Sequence, residues 1–345
     1  MKTILITGGC GFVGSNLAIK FKNKYPMYKI ICMDNLKRRG SELNLKRLYI
    51  NNIEFVHGDV RCKEDFEGII FDIMIECSAE PSVLAGVDGS PSYVLNTNLV
   101  GTINCLEAVR KQNASLIFLS TSRIYPMSKI NSMKYNETNT RFDNIECNGI
   151  DENFNTIGAK SMYGASKYAS ELLIQEYIEA YNIKAIINRC GVITGPWQMG
   201  KVDQGVITLW VLHHMLNKPL KYIGYGGLGK QVRDFVHIDD LFDLVDDQTY
   251  QLSKLNNEIF CVGSGVKNSF SLMELTMICE EITQHRIKIE NIKETRQNDL
   301  KWYISDYSKT YGIFHWQPKI DLNKTIKDIY DWLFEYKNDL KGILW

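Results

Sequence analysis

Short runs of apolar residues alternate with amphipathic stretches along about the first 190 residues of the chain. The apolar runs that we predict as strands are Met1–Thr7, Tyr28–Met33, Ile53–Val56, Phe71–Ile75, Ser115–Leu119 and Lys184–Asn188. Several of them are continuously apolar, which is typical of strands buried on both faces of a sheet. Strands that alternate with helices in this way predict an α/β fold with a doubly wound parallel sheet.

The alternation weakens beyond about residue 190, where loops rich in glycine and aromatic residues appear, such as Tyr222–Gly229. We therefore predict two domains. The first, over 1–190 and joined by part of 231–262, contains the predicted parallel sheet, and the second is a smaller mixed α/β domain over 191–345. The polar, strand-poor segment 131–158 is interpreted either as an active-site insertion or as a surface loop.

Composition narrows the class of protein. Lys and Arg together number 40, as do Asp and Glu, so the net charge is zero and neither a nucleic-acid nor a membrane partner is indicated. The nine cysteines show neither C-x-x-C pairs nor zinc-type spacing, which predicts reduced thiols in a cytoplasmic protein and no metal site. No apolar stretch approaches the ~18 residues of a membrane-spanning helix. The N-terminal apolar run is too short for a signal peptide.

A glycine-rich turn links the first predicted strand to the first predicted helix. Gly8, Gly11 and Gly14 follow the strand, and the helix pattern begins at Ser15. Gly8 permits a tight turn, Gly11 lets a pyrophosphate approach the backbone, and Gly14 lets helix and strand pack closely. This unit predicts a Rossmann-like dinucleotide site with phosphates at the helix N-terminus, with a βα turn that holds no ligand as the alternative.

Two carboxylates follow later strands at positions suited to the adenosine half of a dinucleotide. Asp34 ends the second strand 20 residues after Gly14, where it can bind ribose hydroxyls and repel a 2′-phosphate, so NAD is predicted over NADP. The basic residues 37–39 follow, and a cation among them could accommodate the 2′-phosphate of NADP. The other interpretation is that they form a solvated basic turn, which leaves the prediction of NAD unchanged. Asp59 ends the third strand, either to bind the adenine amino group or to cap the next helix.

Tyr163 and Lys167 are four residues apart at the start of a predicted helix, so they share one of its faces. A lysine ammonium near a phenol favours the phenolate, which is what a general base at neutral pH requires. Ligands bind at strand carboxyl ends in such sheets. The hydroxyls that end the fifth strand are therefore candidates for a third catalytic group: Ser120, Thr121 and Ser122.

Together these motifs resemble the extended short-chain dehydrogenase/reductase family, in its nucleotide-sugar epimerase and dehydratase branch. The motifs that carry the resemblance are T-G-G-x-G-F-V-G at Thr7–Gly14, D-N-L at Asp34–Leu36, G-D-V at Gly58–Val60, N-L-V-G-T at Asn98–Thr102, S-T-S-R-I-Y at Ser120–Tyr125, Y-x-x-x-K at Tyr163–Lys167, R-D-F-V-H-I-D-D at Arg233–Asp240 and R-x-x-D at Arg296–Asp299. The resemblance implies an NAD-dependent isomerase with Thr121, Tyr163 and Lys167 as catalytic residues. The cofactor-binding residues that it implies are Gly8, Gly11, Phe12, Val13, Asp34, Asn35, Asp59, Val60, Ser78, Ala79, Asn98, Tyr163 and Lys167.

The same resemblance implies the substrate contacts. Arg233, Arg296 and Asp299 take positions that hold the nucleotide and its phosphates. The segments Ala79–Gly86 and Gly195–Val206 resemble those of the CDP-paratose 2-epimerase (CDP-tyvelose epimerase) group, which implies a CDP-activated deoxysugar inverted at C2. The full set of implied substrate-binding residues is Glu80, Ser122, Arg123, Trp197, Gln198, Val206, Arg233, Arg296 and Asp299, with a core aromatic as the alternative for Trp197.

Positions 122 and 123 discriminate among the reactions of this branch. Dehydratases resemble Thr-Asp-Glu here and decarboxylases resemble Thr-Ser-Glu, whereas this chain has Thr121-Ser122-Arg123 with no carboxylate. Reversible hydride transfer at one sugar carbon remains, as epimerisation or as reduction of a ketosugar. Val192 stands where 4-epimerases commonly carry Asn. The alternatives are a UDP-hexose 4-epimerase, an NAD(P)-dependent nucleotide-ketosugar reductase and a non-catalytic NAD-binding regulatory protein.

Helices near 95–111 and 163–181 resemble the pair that forms a four-helix dimer interface in this family, which implies a homodimer or homotetramer. Apolar side chains on these helices either form that interface or are buried within one subunit. The side chains concerned are Val100, Ile103, Leu106, Leu173 and Tyr177.

Overall fold

The computed structural model of the protein describes residues 2–200 and 204–344. Met1 of the first predicted strand, and Lys201, Val202 and Asp203 of the Gly195–Val206 segment, lie outside the described residues. No helix formed by the described residues has the length and apolar composition that crossing a membrane requires.

Strands and helices are numbered here in chain order. The strands are β1 (Thr3–Thr7), β2 (Lys29–Asp34), β3 (Glu54–His57), β4 (Ile73–Glu76), β5 (Ser115–Thr121), β6 (Tyr135–Glu137), β7 (Phe142–Asn144), β8 (Lys184–Cys190), β9 (Val192–Thr194), β10 (Leu220–Ile223), β11 (Val232–Arg233), β12 (Phe235–His237), β13 (Glu258–Val262), β14 (Phe270–Ser271), β15 (Ile289–Ile292) and β16 (Trp302–Tyr303). The helices are α1 (Phe12–Lys24), α2 (Leu43–Ile50), α3 (Ser92–Leu95), α4 (Gly101–Gln112), α5 (Met127–Asn131), α6 (Met162–Tyr181), α7 (Val206–Met215), α8 (Ile238–Gln251), α9 (Leu272–Thr283), α10 (Ser308–Phe314), α11 (Leu322–Glu335) and α12 (Lys337–Leu340).

Seven strands form a parallel sheet in the order β13-β8-β5-β4-β1-β2-β3, with helices on its faces. Within it, β1 pairs with β2 and with β4, β2 pairs with β3, and β4 pairs with β5, and all four pairs are parallel. Each of the strands β1–β5 and β8 coincides with an apolar run predicted from the sequence, so the predicted Rossmann-like α/β fold is confirmed. The first helix begins at Phe12, three residues earlier than the pattern predicted.

One face of this sheet packs on α4 and α6 through a continuous apolar cluster. Side chains at alternate positions of neighbouring strands supply it, among them the fully buried Leu5, Met74, Phe118 and Ile187. The other face is covered by α1, whose Phe21 is also fully buried. Because both faces are covered, these strands carry the continuous apolar runs seen in the sequence.

The helix predicted over 95–111 is not uniform, because Asn96–Val100 forms a π-helical turn between α3 and α4. Leu106 of α4 is fully buried in the apolar cluster, and Leu173 and Tyr177 of α6 pack against it. Leu106 therefore belongs to the core of its own subunit, which was the second of the two interpretations, whereas Leu173 and Tyr177 are only partly buried. Val100 stays 39% exposed. The homodimer or homotetramer remains a prediction.

Contacts within the chain divide it into two units, of which only the first contains the main sheet. The first unit consists of the chain up to Thr121, Met162–Arg189 and Leu241–Phe260, and the second consists of Ser122–Ser161, Cys190–Asp240 and the chain from Cys261 onward. The predicted boundary differs in one segment, since it placed 122–161 with the sheet. That segment lies in the second unit because its backbone bonds there, with the Phe142 N–H donating to Lys230 and the Ile150 N–H donating to Ile304.

Segment 131–158 contains a short antiparallel hairpin, β6 and β7, which its polar sequence did not predict. Phe142 anchors the hairpin, because its ring is buried and packs edge-on at 6.3 Å from the ring of Tyr225. The ion pair of Arg141 with Glu274, at 3.1 Å, adds a polar tie within the second unit. The segment is therefore a structured part of that unit rather than a bare surface loop.

We expect Gly14→Ala to destabilise the protein by about 2 kcal/mol or more, because forcing an extra methyl group into tightly packed structure costs this much. A Cβ at Gly14 would lie 2.3 Å from the Gly8 carbonyl oxygen, in the turn before α1. The matched control is Gly312→Ala in α10, where a Cβ meets no atom within 4 Å. That change should raise the free energy of unfolding by about 0.5–1 kcal/mol. Urea unfolding of both variants checks the pair, and equal effects would contradict the packing role of Gly14.

Candidate active site

The turn between β1 and α1 allows a ligand to approach the backbone closely. Gly8 has a φ of +64°, and a Cβ there would lie 2.9 Å from the backbone of Cys77 and of Ser78. Gly11 is the N-cap of α1 and no side chain caps this helix, so its first N–H groups are left for an anion. The Ser78 hydroxyl is buried with no hydrogen-bond partner among the described residues. An uncapped helix end beside an orphaned hydroxyl fits a bound dinucleotide.

Asp34 ends β2, and its carboxylate is fixed against the glycine turn. One oxygen accepts the Cys10 N–H at 3.0 Å and the other accepts the Leu36 N–H at 2.8 Å. Leu36 adopts a left-handed φ of +53° to make this bond. Burial raises the pKa of Asp34, and the two N–H groups oppose that shift. Each carboxylate oxygen keeps further acceptor capacity, which suits donation from ribose hydroxyls.

Asp59 is held in an ion pair that neither interpretation of it anticipated. Its carboxylate accepts hydrogen bonds from Arg61 Nη2 at 2.6 Å and from Asn35 Nδ2 at 2.9 Å. The Arg61 guanidinium holds the pKa of Asp59 well below its usual range. The following short helical turn has Cys62 as its N-cap, so Asp59 does not cap it. Asn35 and Asp59, both predicted cofactor residues, are thus brought together.

The remaining predicted cofactor residues also lie in the first unit. Phe12 and Val13 form the half-buried start of α1. Val60 is buried, and Ala79 lies half-buried in the loop that follows β4. The structure therefore distributes these four residues over the segments that follow β1, β3 and β4.

Asn98 lies in the π-helical turn, a feature that is frequent at functional sites and that the sequence pattern did not predict. Its buried amide accepts the Glu80 N–H at 2.8 Å and donates to the Glu80 carbonyl and to Ser166 Oγ, each at 3.1 Å. Asn98 thus ties the loop after β4 to α6. The Glu80 carboxylate in turn accepts the Ser82 N–H at 3.2 Å, which orders the same loop.

The three residues predicted to be catalytic lie on β5 and on α6, which pack together. Thr121 is the last residue of β5 and is 6% exposed, while Tyr163 and Lys167 lie in the first turns of α6. The Lys167 Nζ lies 3.7 Å from the ring centre of Phe118, three residues before Thr121. Ser120 donates its hydroxyl hydrogen to Glu171, which favours Thr121 over Ser120 for the catalytic position.

Lys167 belongs to a group of buried charged residues that the sequence did not predict. We call this group the ionic layer and define it as Glu76, Lys167, Glu171 and Arg189, each at most 5% exposed. Glu171 accepts hydrogen bonds from Arg189 Nε at 3.1 Å and Nη2 at 2.8 Å. Glu76 and Arg189 each follow a core residue of their strand by two positions, so they continue the buried face of the sheet. A charged residue on that face was the available sequence signal.

The charges of this layer depend on one another. Burial lowers the pKa of Lys167, and the negative charges of Glu76 and Glu171 oppose that shift. Burial raises the pKa of Glu76, and the Lys167 charge and the Thr102 hydroxyl oppose it. Loss of either carboxylate therefore makes the protonated lysine harder to maintain.

The residues predicted to hold the nucleotide lie in the second unit. Arg233 Nη2 donates to Asp299 Oδ1 at 3.1 Å, so the structure brings these two together. Arg296 is half-buried and its carbonyl accepts the Asp299 N–H at 3.4 Å. Arg123 reaches the same segment through a 3.4 Å bond from Nη1 to the Asn298 carbonyl. Four predicted substrate residues therefore converge within this unit.

Other predicted substrate residues have structural partners. The Trp197 ring lies 4.7 Å from that of Tyr336 and 5.7 Å from that of Trp332, and its φ of +73° is strained for so large a residue. Gln198 Nε2 donates to a backbone carbonyl at 2.8 Å, and its Oε1 accepts from two threonine hydroxyls at 3.2 Å. Val206 is the first residue of α7. Ser122 is half-buried in the short turn after β5.

Comparison with known proteins defines the class to which this fold and site belong. Residues 4–263 match the model of the NAD dependent epimerase/dehydratase family. The chain belongs to this family, and its cofactor is NAD.

The individual relatives make the class more specific. The chain is 32% identical over 342 residues to CDP-paratose 2-epimerase of Salmonella typhi, covering 95% of this chain and 98% of the relative. The solved UDP-glucose 4-epimerase of Thermus thermophilus in complex with NAD is 25% identical, with a TM-score of 0.78 over 96% of this chain and 99% of that one. UDP-glucuronic acid 4-epimerase of Bacillus cereus shares the fold, with a TM-score of 0.80, 22% identity and coverage of 96% and 99%.

We expect Glu171→Gln to lower the free energy of unfolding by about 3 kcal/mol or more, since it leaves a buried arginine without its counter-charge. The matched control is Glu107→Gln, which breaks an Arg110–Glu107 pair that is about one-third exposed on α4. The control should change stability far less. Chemical unfolding of both variants checks this, and a Glu171→Gln protein as stable as the control would show that the ionic layer does not constrain the fold.

Proposed function

We propose that the protein is an NAD-dependent nucleotide-sugar epimerase that inverts C2 of a CDP-activated dideoxyhexose, converting CDP-paratose and CDP-tyvelose into each other. The observation that carries this proposal is the end of β5, where Thr121 is followed by Ser122 and Arg123 and by no carboxylate. An elimination or a decarboxylation at this position would lack the acidic side chain that such chemistry uses. The 32% identity with CDP-paratose 2-epimerase supports the choice of sugar and nucleotide.

The first unit would hold NAD, with Gly8, Gly11 and Ser78 toward the phosphates and Asp34 toward the adenosine ribose. Bound NAD supplies reversible hydride transfer at the sugar carbon that is inverted. The backbone N–H groups at the start of α1 would stabilise the negative charge of its phosphates.

Tyr163 would take the proton from the hydroxyl of the reacting carbon and give it back after the sugar has turned. A phenol begins near a pKa of ~10, so it needs a neighbouring cation to act at neutral pH. Lys167 lies four residues along the same face of α6 and provides that cation. Thr121 would hold the same sugar hydroxyl by a hydrogen bond.

Inversion requires the ketosugar to present its other face while the nucleotide stays in place. The second unit would anchor the diphosphate and the nucleoside through Arg233, Arg296 and Asp299. Asp299 already fixes the Arg233 guanidinium at 3.1 Å, so little side-chain freedom is lost on binding. Arg123 would polarise the ketone or steer its rotation.

Inversion at C4 of a UDP-hexose is the second candidate, supported by the 25% identity with a solved UDP-glucose 4-epimerase. Incubation of the holoprotein with CDP-paratose, UDP-glucose and UDP-galactose, followed by NMR, separates the candidates. We expect a new diastereomer only from the CDP sugar, with no net consumption of cofactor. Turnover of the UDP sugars alone would establish the 4-epimerase instead, and net oxidation of added NAD(P)H would establish a reductase.

We expect Tyr163→Phe to lower kcat by at least ~10³-fold, since it removes the proton-transfer group. NAD should remain bound, which release by heat and mass analysis can check. Tyr181→Phe is the matched control, because Tyr181 is an exposed tyrosine at the end of the same helix. It should retain the wild-type rate. Retained turnover in Tyr163→Phe would exclude this residue as the base.

A further inference from the structure

Glu76 is a buried carboxylate that the proposed reaction does not use. It ends β4 with 1% of its surface exposed, and its Oε1 lies 2.6 Å from Thr102 Oγ1 of α4. Its Oε2 has no hydrogen-bond partner among the described residues. An ionised carboxylate in such a place is costly unless a cation lies nearby.

The register of the sheet places a cation beside this carboxylate. Glu76 of β4 is paired with Phe118 of β5, and paired residues of neighbouring parallel strands project from the same face. The Lys167 Nζ lies 3.7 Å from the ring centre of Phe118. The Glu76 carboxylate and the Lys167 ammonium therefore share one buried space over β4 and β5.

Two other ionisable groups near Lys167, Glu171 and Cys105, do not supply a free negative charge. Glu171 of α6 is bonded through both oxygens to Arg189 of β8, so its charge is matched. Cys77, after β4, and Cys105 of α4 also face the lysine. Burial raises the pKa of the Cys105 thiol well above its ordinary value, which keeps it neutral. Glu76 is thus left as the counter-charge of Lys167.

We propose that Glu76 is a positioning residue that keeps the Lys167 ammonium charged and fixed over Phe118. The inference rests on the proposed catalytic role of Lys167, because Glu76 acts on Tyr163 only through that lysine. Without Glu76, the buried lysine loses its proton at a lower pH, and the Tyr163 phenolate then loses its neighbouring cation. The lysine must be protonated for turnover, so this loss limits activity on the alkaline side of the pH profile.

The first test compares the pH dependence of kcat/KM in the holoenzyme. Glu76→Gln should move the alkaline limb down by at least one pH unit, a tenfold loss of activity on that limb, while KM for the nucleotide sugar changes less than twofold. Glu76→Asp keeps the charge and should largely restore the limb. The matched control is Asp246→Asn, which removes another carboxylate of the first unit that is 1% exposed and whose partners are Lys24 and Tyr25. Its limb should match that of the wild type.

The second test does not need turnover. NMR of protein labelled with ¹³Cε-lysine, with the Lys167 signal assigned by Lys167→Met, follows the titration of the lysine itself. Glu76→Gln should lower that titration by at least one pH unit. If this variant does not fold, Thr102→Val should lower it in the same direction by less. A Lys167 titration unchanged in these variants overturns the inference, whereas absence of turnover in the wild type with a shifted titration overturns only the proposed function.

Discussion

The structure depends on how charge is buried at the carboxyl end of the central sheet. Lys167 is withdrawn from water, and a buried ammonium is stable only where opposite charge and hydrogen bonds replace its hydration. Glu76 is the carboxylate that we propose meets this need, because the charge of Glu171 on the same helix is balanced by Arg189. The pairing of β4 with β5 and the packing of α6 on β5 are therefore linked by a single electrostatic requirement.

The residues proposed to bind the cofactor and the proposed catalytic Thr121 lie at the same edge of the sheet. Gly8 follows β1, Asp34 ends β2 and Thr121 ends β5, and the parallel order β5-β4-β1-β2 brings these strand ends to one side. The glycine turn contributes backbone N–H groups. The Asp34 side chain is oriented by two backbone N–H groups, of Cys10 and Leu36, that donate to its carboxylate. The second unit holds Arg233 against Asp299 by itself. The residues proposed to bind the substrate and those proposed to bind the cofactor are thus held by separate sets of contacts.

The strands and the glycine turn could be predicted from local sequence patterns. Contacts between residues far apart in the chain could not. Apolar runs identified β1–β5 and β8, and the glycine spacing identified the turn before α1. The proposed pairing of Glu76 with Lys167 joins positions 91 residues apart and depends on the pairing of β4 with β5 and the packing of α6 on β5, which no local pattern encodes. The hairpin in segment 131–158 was not predicted because its strands are only three residues long and mostly polar. It is held by contacts with distant residues, such as that of Phe142 with Tyr225.

The most direct test of the proposed reversible hydride transfer uses CDP-paratose that carries deuterium at C2. The holoprotein would be incubated with this substrate, and the isotope content of the epimer would be read by mass and NMR. We expect deuterium to stay at C2 of the product, with little exchange with solvent, because the transferred hydride never enters water. Loss of deuterium, or its entry at C2 from D₂O, would mean deprotonation beside a carbonyl and would contradict the proposed hydride transfer.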